Sequence, residues 1–143
     1  KLIILGIGND LKGDDALGIF MARNLHNLSP KIVSIDGGVV PENFTGAIKK
    51  ENPSHILLLD AVDMKKAPGF VRIVHKEEIP NYSISTHSMP ISFLINYLEI
   101  GTGAKIALIG IQPQSMELGQ EMTREVKKSA IHVLDILKTI LLP

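Results

Sequence analysis

The sequence contains no cysteine. That excludes disulfides, thiolate nucleophiles and cysteine-built zinc or iron–sulfur sites. It has no excess charge of either sign: 15 Lys and Arg face 15 Asp and Glu, for a formal net charge of zero. Such a balance supports neither a nucleic-acid partner nor an anionic membrane surface. No apolar run approaches the roughly 20 residues that span a bilayer. No basic stretch with a cleavage site stands ahead of the first apolar run, so a cytoplasmic location is expected. Familiar site signatures are missing as well. There is no His-Glu-x-x-His and no Gly-x-x-x-x-Gly-Lys-Ser/Thr loop. A dinucleotide fingerprint fails because Leu11 stands where its third glycine is required, and the acids that follow would repel a pyrophosphate.

What is present is an ordinary globular composition, 45% hydrophobic and 21% charged. Residues 1–143 read as one domain, long enough to bury a core. There is no repeat, linker or low-complexity stretch. The informative segment is the first one. An apolar run at residues 1–5 leads into Gly6-Ile7-Gly8-Asn9, and the acids Asp14 and Asp15 follow. An apolar run bounded by glycines reads as a buried parallel strand. The C-terminal end of such a strand is where open α/β sheets bind ligands.

The rest alternates in the same manner. Residues 16–28 carry a helical apolar face, stopped by Ser29-Pro30. A strand at 31–36 ends at Gly37-Gly38, and a short helix follows from Pro41 to Lys50. A fully apolar strand at 54–63 ends in acids. Residues 70–75 alternate apolar and polar, which predicts an edge strand with one wet face. Its short connection from the preceding strand predicts an antiparallel orientation. Residues 77–86 read as a polar loop, and 88–100 as a helix ended by Gly101 and Gly103. The last strand is 104–111, and Thr123 caps a final helix running to Leu142. The expected fold is an α/β three-layer sandwich: a mostly parallel sheet of about five strands with one antiparallel edge strand.

Three polar groups fall at the expected C-terminal ends of buried elements: Asp14 or Asp15, Asp60 (or Asp63), and His87. Two carboxylates and an imidazole form a ligand set with open positions that suits zinc, nickel or a similar divalent ion. Plainer roles exist for each. Asp15 is a natural helix N-cap, Asp60 a turn former and His87 a capping or surface histidine. His26, His55, His75 and His132 read as surface or structural histidines. A phospho-acceptor receiver domain would also place acids after its first and third strands, but the last strand here lacks the Lys-Pro ending of receivers.

With these residues in view, the chain resembles the hydrogenase maturation proteases, most closely the type that processes hydrogenase 3. The matching stretches run in the family's order. They are Gly6-Ile7-Gly8-Asn9 through Gly13-Asp14-Asp15, Asp36-Gly37-Gly38 with Pro41-Glu42-Asn43, and Asp60-Ala61-Val62-Asp63 with Ala67-Pro68-Gly69. Ser85-Thr86-His87-Ser88-Met89-Pro90 and Gly110-Ile111-Gln112-Pro113 complete them. The resemblance implies a phosphorylase/hydrolase-like fold. It also implies a cytoplasmic endopeptidase that removes a C-terminal extension from the large-subunit precursor of a nickel–iron hydrogenase after nickel insertion. It assigns metal contact and catalysis to Asp15, Asp60 and His87, favouring Asp15 over Asp14. The metal it implies is the precursor's own nickel, other divalent ions substituting in vitro. Asn9, Gly37, Gly38 and Gln112, on loops at the same end, are expected to line the substrate cleft. A monomer is expected. The competing functional reading is a non-catalytic nickel-binding chaperone built on the same three residues.

Overall fold

The apolar N-terminal run forms β1, Leu2–Ile7, and every residue of it after Leu2 is buried. The structure, a computed structural model, describes residues 1–84 and 89–142. After β1 come α1 (Leu17–Asn24), β2 (Ile32–Gly38), α2 (Thr45–Lys50) and β3 (His55–Asp63). β4 (Val71–Val74), β5 (Ser83–Ile84), α3 (Ile91–Thr102), β6 (Lys105–Ile111) and α4 (Arg124–Leu141) follow. Short 3-10 segments at Gly13–Ala16, Pro41–Phe44 and Lys76–Asn81 join them.

The main sheet has the order β2-β1-β3-β6-β4. Pairing is parallel from β2 through β6, and β4 runs antiparallel on the outer side of β6. The chain steps from β1 to β2 on one side, then crosses back to place β3 on the other. Strand order therefore reverses at β1, and the crevice at the C-terminal ends of β1 and β3 is a topological switch point. β3 outruns its neighbour there. Its pairing with β1 stops at Gly6↔Leu59, while Asp60 and Ala61 still pair with β6 and Val62 and Asp63 pair with β5.

Strand alternation sends side chains into two apolar layers. Ile3, Leu5, Leu58 and Val62 meet Ile48 of α2 and Leu94 and Leu98 of α3 on one face. Ile4, Leu59, Ala61 and Ile109 meet Leu17 and Met21 of α1 and Val126, Ala130 and Leu134 of α4 on the other. This is the expected three-layer arrangement. No helix of the described residues is long and apolar enough to cross a membrane.

The antiparallel edge strand is present as expected, and it pairs with β6. Several other expectations need correction. The supposed loop at 77–86 holds a 3-10 turn and β5. The first helix spans Leu17–Asn24 rather than 16–28, because a tighter 3-10 turn forms first. α3 starts only after Pro90 and continues through Gly101, so Gly103 alone, in a left-handed conformation, ends it. Thr123 occupies the N-cap position of α4 but makes no capping bond with its side chain.

α1 lies unusually close to the sheet because two glycines face each other. A methyl group on Gly6 would strike the backbone of Gly18 and the Ala22 side chain; one on Gly18 would strike the Leu59 carbonyl and the backbone of Ile7. We expect Gly18→Ala to lower stability by about 2 kcal/mol, because the backbone clash outweighs the roughly 1 kcal/mol gained in helix propensity. Urea unfolding measures this; a stabilised variant would contradict the tight packing.

Candidate active site

The loop after β1 is shaped by its own polar groups. The Asn9 side-chain oxygen accepts from the Leu11 N–H at 2.9 Å. The Asn9 N–H donates to the Asp15 carbonyl, and the Asp15 N–H to the Lys12 carbonyl. These bonds fold the Gly13–Ala16 turn back over the end of β1, where it also touches β3. Both acids in the turn are buried. Asn9, expected to meet substrate, thus has its side-chain carbonyl engaged in forming the loop.

Asp14 and Asp15 have diverged completely in role. One oxygen of Asp14 accepts from the Gln114 and Ser115 N–H groups at 2.8 and 3.0 Å. The other accepts from the Thr123 N–H at 2.7 Å, and the Thr123 hydroxyl donates to the same carboxylate. Asp14 therefore ties the loop after β1 to the loop after β6 and to the start of α4. Sequence reasoning missed this role, and no local signal announces it, since all the partners lie about 100 positions away. Asp15 takes no part in that set. Its Oδ1 lies beside Gly8 at the end of β1, 3.7 Å from where a Cβ on that glycine would stand. It is not the N-cap of α1, a position held by Ala16.

Asp60 sits inside β3, three residues before its end, and is fully buried. Its side chain follows those of Leu58 and Val62 toward the α2–α3 face. The Ala61 N–H donates to its Oδ1 at 2.8 Å. The turn-forming role belongs instead to Asp63, which is exposed and accepts from the Lys65 N–H at 3.0 Å. Asp15 and Asp60 are thus brought to the C-terminal ends of the two strands that flank the switch point.

His87 lies outside the described residues, so its place is not fixed by geometry here. Its flanking elements are: β5 pairs Ile84 with Val62, two positions beyond Asp60, and α3 begins at Ile91. Among the described residues no three of His, Cys, Asp and Glu converge on a metal-sized point.

The remaining candidates have structural duties. Gly37 packs against the Leu5 side chain and the Gly6 carbonyl, leaving no room for a Cβ. Gly38 has a positive φ of 57°, faces open space, and accepts the Gly8 N–H at 3.0 Å. Gln112 is buried, and its side-chain oxygen accepts the Met64 and Lys66 N–H groups while its amide donates to Asp63. It braces the turn after β3.

Two buried carboxylates at a sheet switch point can accept a proton from water or contact a cation. Ionised, each of them accepts hydrogen bonds and donates none.

The sequence profile of a family described as hydrogenase maturation protease matches residues 20–140, a span that contains Asp60 and His87. A putative hydrogenase maturation protease of Methanocaldococcus jannaschii is 38% identical over 99% of this chain and 88% of its own length. The hydrogenase 3 maturation protease of Escherichia coli is 36% identical over 87% of this chain and 81% of its own. A crystal structure of a NiFe hydrogenase maturation protease from Thermococcus kodakarensis superposes with a TM-score of 0.92 at 31% identity, covering 100% of this chain and 93% of that one.

Two expected outcomes follow from the hydrogen bonds. Asp14→Ala strands several buried donors and should cost about 3 kcal/mol or more, read from the urea midpoint. Asp63 has its carboxyl held below the ordinary value, first by the Gln112 amide and then by the Lys65 N–H. A lowered folded-state value means its stabilisation is complete above the unfolded value and disappears as pH falls through the folded one. Asp63→Asn should therefore be less stable than the parent near neutrality and should converge with it below about pH 4. Unfolding curves across that range test the sign; parallel curves at all pH values would refute it.

Proposed function

Because the chain belongs to the hydrogenase maturation protease family, we propose that it removes the C-terminal extension of a nickel–iron hydrogenase large-subunit precursor. The observation that carries this reading is the placement of two buried acids, Asp15 and Asp60, at the ends of β1 and β3. A sheet of this order binds its ligand at that end of its strands, which supports the reading.

In this reading the nickel is part of the substrate. Asp15, Asp60 and His87 contact the ion that the precursor already holds, and the two carboxylates and the imidazole suit such an ion. Contact with the ion then distinguishes a finished precursor from an unfinished one, since only the former gains those interactions. Hydrolysis needs one water and one base. A site carboxylate takes the water's proton as its oxygen adds to the scissile carbonyl carbon, and the proton passes to the leaving amide nitrogen as the C–N bond breaks. Binding of the precursor beside the site holds the bond in place for that attack. The protein acts in the cytoplasm as a monomer, with the precursor as its partner.

The test is a purified precursor, with and without nickel, followed by the mass of the released peptide. Asp15→Asn, Asp60→Asn and His87→Ala should each lower processing by about 100-fold or more, with circular dichroism showing an intact fold. Equal cleavage of the nickel-free precursor would overturn nickel recognition. Tight binding of the nickel-loaded precursor with no peptide released by the parent protein would favour the non-catalytic chaperone.

A further inference from the structure

The loops around the site carry large apolar side chains that the fold leaves uncovered. Leu11, in the loop after β1, is 64% exposed, and Leu118, in the loop after β6, is 73% exposed. Scattered exposed leucines are common on any surface. These two are not scattered. The Gly119 N–H donates to the Leu11 carbonyl at 2.8 Å, which sets the loop tips side by side, and the Gly13 N–H donates to the Gln120 carbonyl just below. The Asp14 carboxylate bonds the bases of both loops. The leucines are therefore held in fixed positions and not presented on free coil.

Further apolar side chains are uncovered on neighbouring segments. Val39 and Val40, 43% and 38% exposed, occupy the loop after β2. That loop is joined to the first by the Gly8–Gly38 backbone bond and by Arg23, which pairs with both Asp10 and Asp36. A groove that starts at Asp10 is lined by Phe20 and Met122. The two loops that carry the leucines also carry Asp10, Lys12, Glu117 and Glu121. An apolar centre with a mixed polar rim is the anatomy of a protein–protein interface.

We propose that Leu11 and Leu118, with Val39 and Val40, form the docking surface for the folded body of the precursor protein. This rests on the function proposed above. The occupant follows from continuity: Leu11 stands four positions before Asp15 in the same loop, so any chain cut at Asp15 and Asp60 brings its folded body to this rim. A surface spread over three loops fits a globular partner better than a short peptide. The charges beside it, three acidic and one basic, favour a partner face that is not itself acidic.

The experiment compares the parent protein with L11D/L118D and with the milder L11S/L118S. Each is tested for nickel-loaded precursor processing as a function of precursor concentration, for direct binding to that precursor, and for its unfolding midpoint. The expected result is a KM and a Kd at least about tenfold higher, which is about 1.4 kcal/mol. The unfolding midpoint should stay unchanged. Unaltered KM and Kd in both variants would overturn the docking surface while leaving the proteolytic reading intact. A parent protein that binds but releases no peptide would defeat the proteolytic reading, and the loss of binding in the variants would still support docking. If the parent fails to bind, or sediments as a dimer that the variants dissociate, the surface belongs to something other than the precursor and the proposal fails.

Discussion

A buried carboxylate is stable only when its oxygens are fully supplied with donors, and in this chain that requirement governs the rim of the sheet. Asp14 draws its donors from Gln114, Ser115 and Thr123, in the segment that links β6 to α4. The bonds form together or not at all, because a half-satisfied buried charge is worse than none. Two loops that would otherwise move independently are fixed to each other and to the N-terminus of α4. The charge also sits at the positive end of that helix dipole. This explains why Thr123 occupies the N-cap position without bonding its own helix: its hydroxyl is committed to Asp14.

With Asp14 fixed, its neighbour is fixed as well. Successive residues of a tight 3-10 turn project in different directions. One acid turns inward to the loop network, and the next turns toward Gly8 and the end of β1. The glycine pair Gly6–Gly18 brings α1 down onto the sheet, so the turn that precedes the helix is pressed against β3. Asp60 arrives from the other strand because β3 runs past the point where β1 stops. The two acids are thus carried to the same end of the sheet by sheet order, strand length and close helix packing, each set by a different part of the chain.

The same division explains what could be read from the residues. The strands were legible because fully buried parallel strands are continuous apolar runs, as in residues 56–59 and 106–111. The edge strand was legible in position and direction, but its alternation did not give a buried apolar face: Val71, Arg72 and Ile73 are all exposed and only Val74 enters the core. Its neighbour was not, since nothing local to β4 says that β6 will intervene between it and β3. The acids were legible by type and position, but the roles of Asp14, Gln112 and Asp63 depend on partners far away in sequence. Asp60 against Asp63 illustrates the limit. Both close the same apolar run, and only the continuation of pairing through Val62 makes the first buried and the second a turn residue. The helix ends moved by several positions where 3-10 turns and Pro90 intervene.

Burial of both acids has a further consequence for selectivity. A water-activating carboxylate open to solvent would be within reach of any flexible peptide. Asp15 and Asp60 are enclosed by the turn after β1 and by the extended end of β3, so an undirected chain gains nothing by approaching. For the proposed substrate, the energy that brings the scissile bond into place has to come from contacts made elsewhere, on the precursor's folded body and on its nickel. Such remote binding raises the rate only for a partner that makes all of those contacts together. On the proposed reading the chemistry is generic, and selectivity comes from positioning.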